Sequence, residues 1–378
     1  MDTITITSAV VNGDSSFTRP GAKITAMAVC WFLGIGVLLP WNSVVTIGDY
    51  YYHLFPHYHP GRVLALISQP FSLATSVILS YHVSKINTRK RTLFGYILFS
   101  LSIFGILMVD LATSSRKRGL PTYIAICVFV ASFGVESALV EGGLLGELSF
   151  MCPQLIQSFI AGVAASGALT SCLRLLTKAL FDNTKNGLRN GVLLYLSIST
   201  FVEFMCIFVY AYIFAELPIV KHFRKKAALS GLRALADVQT TNEMADDVIS
   251  HERQSNRELL LQNIDYAFGV YLTYALTFSI FPGFLYENTG NHKLQSWYAI
   301  VLIAAYNVWD LIGRVDQGWM IMLVSFLGLT NGYITVCIFT VAPRGYMAPE
   351  QNALGNLLVM FLLIGLFCGA CFDLLWTL

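Results

Sequence analysis

From Ile24 to Gly48 the chain runs twenty-five residues without an Asp, Glu, Lys or Arg. A helix needs about 20 apolar residues to cross the hydrocarbon of a bilayer, so this stretch is a complete crossing. The pattern recurs near 63–82, 93–111, 121–146, 154–180, 191–215, 264–284, 295–314, 318–341 and 352–377, which makes ten candidate spans. Composition agrees: 56% of residues are hydrophobic and 12% charged, against about 25% charged in soluble domains. One water-facing core cannot hide that much apolar surface, so lipid is the missing solvent. In lipid every backbone polar group must be satisfied within its own segment, and apolar runs of this length do that as helices. The expected fold class is an all-α polytopic membrane protein with about ten transmembrane helices.

Polar stretches divide the chain. Residues 1–23 form a polar tail without the charged start and apolar core of a cleavable signal, so the first span is expected to direct insertion itself. Six spans follow over 24–215. Residues 216–263 begin with the basic run KHFRKK and turn acidic and amide-rich, which reads as a solvated, partly disordered linker. The last four spans lie in 264–378. Lys85, Arg89, Lys90 and Arg91 follow the second span, and Lys221, Arg224, Lys225 and Lys226 follow the sixth. Basic loops stay in the cytosol, so the N-terminus is placed inside. Arg116, Lys117 and Arg118 fall on the wrong side for this orientation and are outvoted.

Several function classes are disfavoured. A net charge of +2, with its basic residues in short clusters, gives no footprint for nucleic acid. All eight cysteines lie in or beside apolar segments, where a thiol behaves as a small hydrophobe. Cys368-Gly-Ala-Cys371 imitates a redox dithiol but sits inside an apolar helix pattern. His53, His57 and His59 fall in a turn between spans and read as solvated rather than as a metal site. There is no His-Glu-x-x-His helix, phosphate-binding Gly-x-x-x-x-Gly-Lys loop or Gly-x-Ser-x-Gly elbow, so neither an ATP-driven pump nor an intramembrane hydrolase is indicated, and no cofactor is expected.

The informative residues are the polar ones inside the spans, because an ionisable group at mid-membrane costs several kcal/mol unless it has a partner or lines a cavity. Asp310 and Arg314 are four apart, on one face of the eighth span, with Asn307 one turn earlier. Two readings stand: an interfacial arginine neutralised by Asp310, or a polar stripe that addresses a ligand. Glu136 and Glu141 lie in the fourth span among Gly134, Gly142, Gly143 and Gly146; small residues explain close helix contact but not the carboxylates. Arg174 in the fifth span favours a structural role. In the first span Pro40 frees a backbone carbonyl, Trp41 fits either an interfacial belt or a cavity wall, and Asn42 is polar within an apolar helix.

These residues carry a resemblance. LPWN at 39–42, LVEGGLLGELSFMCP at 139–153, FIAGVAASGALTSCLRLLTKALF at 159–181, FPGFLYENTG at 281–290, YNVWDLIGR at 306–314, DQGWMIMLVSFLGLTNGY at 316–333 and PEQNALGNLLV at 349–359 resemble the equilibrative nucleoside transporters, most closely the plant branch. The resemblance implies eleven helices, six plus five, in an arrangement related to the major facilitators, with a central alternating-access cavity for nucleosides and nucleobases. It implies that Trp41 stacks on or closes over the ligand, Asn42 lines the outer cavity and Glu141 addresses the base. Asn307, Asp310 and Arg314 would serve the ribose hydroxyls. The implied partners are that substrate, the lipid bilayer and possible coupling protons. The location is a membrane, with the plasma membrane favoured over the vacuolar one.

Two departures stand out. Glu141 occupies a position where the family usually has glutamine. Arg314 runs directly into Val315 and Asp316, whereas in the family a loop and a ninth helix intervene. The arrangement here is therefore six plus four. Dropping one crossing reverses everything after it, so the last two helices must either insert upside down or fail to cross properly. A shortened form that inserts without transporting is the alternative function.

Overall fold

The computed structural model describes residues 20–82, 86–113, 119–181, 186–227, 229, 255–280, 297–312 and 319–375, and every regular element among them is helical. The long helices are α1 (Pro20–Thr46), α3 (Pro60–His82), α4 (Thr88–Ala112), α5 (Leu120–Leu148), α6 (Pro153–Phe181), α7 (Gly187–Phe208), α9 (Ile264–Ile280), α10 (Tyr298–Ile312), α11 (Trp319–Val341) and α12 (Ala348–Leu375). Short helices α2 (Gly48–Leu54) and α8 (Asn256–Gln262) precede α3 and α9. Helix α7 continues through a π-helical turn at Val209–Phe214. Among the described residues seven helices are long and apolar enough to cross a membrane, and Leu327–Val341 adds a shorter apolar one. Helices α9, α10 and α11 occupy the places of the seventh to ninth expected spans.

Local signals set several helix starts. Proline stands at or next to the first position of α1, α3, α5 and α6, where its missing N–H costs nothing. The Asn87 side chain accepts from Lys90 N and caps α4. Ser255 and Glu258 form a reciprocal capping box on α8. The expected linker is therefore helical at both ends, over 218–227 and in α8.

Helices α1 and α6 run parallel and pack backbone to backbone. A Cβ on Gly34 would overlap the Phe159 carbonyl, and one on Gly162 the Trp31 carbonyl. Between lipid-embedded helices such close approach substitutes for the hydrophobic drive that water would supply. At the end of this pair Arg174, fully buried, donates to both Asp49 oxygens at 2.9 and 2.7 Å, and Lys178 stands 3.9 Å from the same carboxylate. Arg174 is thus a packing residue, as its sequence context favoured.

Let the near face be the one where α1 begins. Gly142 and Gly146 of α5 pack against Asn352, Gly355 and Asn356 of α12, and Arg91 at the start of α4 donates to Asn356 Oδ1 at 3.2 Å. The first turns of α12 therefore lie at the near face, so α12 runs away from it. Thr335 bonds the Tyr274 hydroxyl while Ile338 lies against Gly269, which makes α11 antiparallel to α9. Asn307 bonds Ser171 while Trp297 lies against Lys178, which makes α10 antiparallel to α6, and Gly365 on Tyr271 with Gly369 on Ala275 makes α9 parallel to α12; α10 and α11 therefore both run toward the near face, with Asn331 bonded to Tyr306 between them. Two consecutive helices thus point the same way. The structure does not turn the last two helices upside down; it keeps them as they stand when a crossing separates α10 from α11.

Candidate functional site

Where α1, α3, α5 and α6 meet α9, α10, α11 and α12, they line a cavity. Four of the six expected site residues line it: Trp41, Asn42, Glu141 and Asn307. Asp310 lies on α10 one turn beyond Asn307, and its side chain is outside the described residues, as is the whole of Arg314.

Trp41 projects from α1 one residue past Pro40, and α1 continues as a helix through both. Its indole stacks on Phe278 of α9, with centroids 5.8 Å apart and planes 27° apart. That settles its position as a cavity wall. The Cys206 sulfur lies against Gly36, whose carbonyl is the one Pro40 leaves without a helical donor. Asn42 is buried, and its Nδ2 donates to Ser166 Oγ at 2.7 Å. Asn307, also buried, donates to Ser171 Oγ at 2.8 Å, and its amide fills the space over Gly167. Glu141 on α5 is 7% exposed and receives a weak bond from Ser137 at 3.4 Å.

The sequence reading missed Gln69 and Ser72 on α3, Tyr274, Thr277 and Phe278 on α9, Tyr306 on α10, and Asn331 and Thr335 on α11, all of which line the cavity. Three carry buried polar atoms without a hydrogen-bond partner: Gln69 Oε1, Ser72 Oγ and Asn331 Oδ1. Each such atom costs about 1–3 kcal/mol unless something in the cavity bonds it. Gln69-Pro70 and Asn331-Gly332 carry the same signal as Pro40-Trp41-Asn42, a polar side chain beside a helix-weakening residue inside an apolar run. The aromatic residues carry none, since they read like any lipid-facing ring.

Contacts cross between the N-terminal and C-terminal helices at both ends of the cavity. Toward the near face stands the Arg91–Asn356 bond over Gly142 and Gly146. On the far side stand the Trp41–Phe278 stack, the Asn307–Ser171 bond and the Lys178 ammonium 4.7 Å from the centre of the Trp297 ring. A mid-membrane chamber between two helix sets, with contacts at either end, can hold a solute away from both aqueous phases.

Two sets of helices gathered around one chamber are the fold of a solved sugar transporter. The xylose transporter XylE from E. coli, solved in a partially occluded inward-open conformation, is similar in fold, with a TM-score of 0.53 at 12% identity over 93% of this chain and 97% of that one. The profile of the nucleoside transporter family matches residues 125–320 and 315–378. Equilibrative nucleotide transporters 3 and 5 of Arabidopsis thaliana are 54% and 52% identical to this chain, each covering 94% of both chains. The chain belongs to the nucleoside transporter family.

The comparisons also bear on the junction after Arg314. The family match comes in two pieces that meet at 315–320. The alignment to transporter 3 runs over 396 positions, while 94% of this 378-residue chain supplies about 355, so about 40 positions have no counterpart here. That suffices for one crossing of about 20 residues with its loops.

Proposed function

We propose that the cavity binds a nucleoside or nucleobase and carries it across the membrane by alternating access, with no covalent step. The observation that carries this reading is the pairing, within one chamber, of an aromatic wall with unpartnered amide and hydroxyl groups. Trp41 and Phe278 offer a flat apolar face to a heterocycle. Glu141 and Gln69 face the edge of the base. Asn307 serves the sugar hydroxyls, with Asp310 and Arg314, which follow it in the sequence, in the role the resemblance implies.

The relatives are named for nucleotides, yet the lining favours the uncharged nucleoside. Among the described lining residues there is no Lys or Arg, and the charged residue present is acidic, Glu141. Among these described residues a phosphate would meet no cation and would face a carboxyl group. The N-terminus is assigned to the cytosol on the distribution of basic residues, and the plasma membrane is favoured over the vacuolar one on the resemblance. Uptake of radiolabelled adenosine or uridine into transporter-deficient yeast tests the reading. Saturable uptake competed by nucleosides supports it; no saturable uptake with the protein at the cell surface overturns it.

A further inference from the structure

Behind the cavity, inside the N-terminal helices, lie two carboxyl groups that the transport reading does not use. Glu203 on α7 and Glu136 on α5 are both 0% exposed. Neither oxygen of Glu203 has a hydrogen-bond partner, and Glu136 Oε2 has none. Glu136 Oε1 accepts from Ser102 Oγ of α4, which also bonds Ser132 at 2.8 Å. Both helices that carry them pack against α4. A Cβ on Gly95 would lie 3.4 Å from the Glu136 carbonyl oxygen, while Tyr96 and the Cys206 sulfur, one turn from Glu203, both abut Gly36 of α1.

The titratable groups around Glu203 are Glu136 from α5, Tyr96 from α4 and Cys206 from its own helix. Cys30 of α1 borders Tyr96, and the Tyr96 hydroxyl is committed to the Leu33 carbonyl. Arg174 of α6 is committed to Asp49. None of these supplies a positive charge. An ionised carboxylate without donor or cation in a dry interior costs far more than the fold can supply, and two neighbouring ones cost more still. Such a pair needs a ligand that is cationic and small enough for a closed site, and a proton, which removes one charge and can bridge two carboxyl oxygens, meets both conditions.

We propose that Glu203 and Glu136 form a proton-binding pair within the N-terminal helices. Glu203 holds the proton, and Glu136, supported by Ser102, is the member that gains and loses charge. The pair is mechanically joined to the cavity. Glu136 lies on α5 beside Phe133 and Ser137, both of which line the chamber, and Phe133 packs on Phe99 of α4 at 6.2 Å. Charging the pair disturbs the α4–α5 contact that forms this wall and slows transport.

The infrared arm of the test does not depend on transport. The full chain in lipid nanodiscs is titrated from about pH 5 to about pH 8 and the carbonyl stretch of protonated carboxylic acids is recorded. The expected result is a protonated band that disappears in Glu203→Gln and a titrating component that disappears in Glu136→Gln. Absence of any band lost in Glu203→Gln overturns the proposal. In the second arm, wild-type uptake is expected to fall several-fold across that range and to become flat in Glu136→Gln. A pH profile unchanged by Glu136→Gln, or a sodium dependence in its place, contradicts it. Should wild type carry nothing, the transport reading fails and the infrared arm still decides this one.

Discussion

The indole of Trp41 lies on the ring of Phe278, 5.8 Å between centroids, and so ties α1 of the N-terminal helices to α9 of the C-terminal ones across the cavity. A base entering the cavity meets this aromatic wall. Stacking of a base on an aromatic side chain contributes about 1–3 kcal/mol, and 1.4 kcal/mol is a factor of about ten. Trp41→Ala is therefore expected to raise the KM for nucleoside roughly tenfold or more, and Trp41→Phe to recover most of the loss. Concentration-dependent uptake checks this; an unchanged KM in Trp41→Ala would remove Trp41 from the site.

The Asp49–Arg174 contact anchors α2 to the end of α6, with the guanidinium fully buried and the carboxylate 15% exposed. Removing one partner of a buried pair leaves an uncompensated charge that costs about 3–5 kcal/mol, whereas replacing both by apolar groups is often neutral. Asp49→Ala is expected to lower the yield of folded protein sharply, and Asp49→Ala with Arg174→Met to restore much of it. Fluorescence-detected size-exclusion chromatography distinguishes the two.

Gly162 sits against the Trp31 carbonyl where α1 and α6 touch, while nothing lies near a Cβ on Gly21. Gly162→Val forces two helix backbones apart and is expected to lower the melting temperature by several degrees, as overpacking costs about 1–3 kcal/mol. Gly21→Val leaves it unchanged. Equal melting curves for both would mean that the α1–α6 contact contributes little.

The parallel pair α10 and α11 makes a prediction about the membrane itself. With Tyr306 beside Asn331, the facing ends Ile312 and Trp319 are about 27 Å apart along the helix axes at 1.5 Å per residue. Seven residue steps reach at most about 25 Å. That is less than the separation, so two parallel neighbours this close in sequence need more chain between them than Ile312 to Trp319 supplies. Inserting between Arg314 and Val315 an apolar span of about 20 residues with polar flanks is expected to raise both thermal stability and uptake. Protease-accessible tags at both termini report orientation: termini on opposite sides accord with α12 as the structure places it, and termini on one side mean that the last two helices have inverted.

How much of this was legible in the sequence follows from what membranes constrain. The long helices lie where the apolar runs lie, because twenty residues without charge leave few alternatives. Trp41, Asn42, Glu141 and Asn307 were legible as cavity residues because polarity inside an apolar run requires an explanation. The same rule applied to Gln69 and Asn331 and was not carried far enough. Phe278 and Tyr306 were not legible, since nothing in their type separates them from Phe268 and Tyr333, which are 54% and 71% exposed on the outside of the helices. The direction of α11 and α12 was illegible for another reason. Span counting assumes that each helix reverses the last, while the contacts that set this direction, Arg91 to Asn356 and Thr335 to Tyr274, join residues far apart in the chain.

Equilibrium binding of radiolabelled adenosine to the purified full chain tests the central claim most directly, because it needs neither a gradient nor a completed transport cycle. The account predicts one saturable site, displaced by unlabelled nucleosides, displaced poorly by nucleoside monophosphates and lost in Trp41→Ala with Asn307→Ala. Folded protein that binds no adenosine, or a site that the double variant leaves intact, would contradict it.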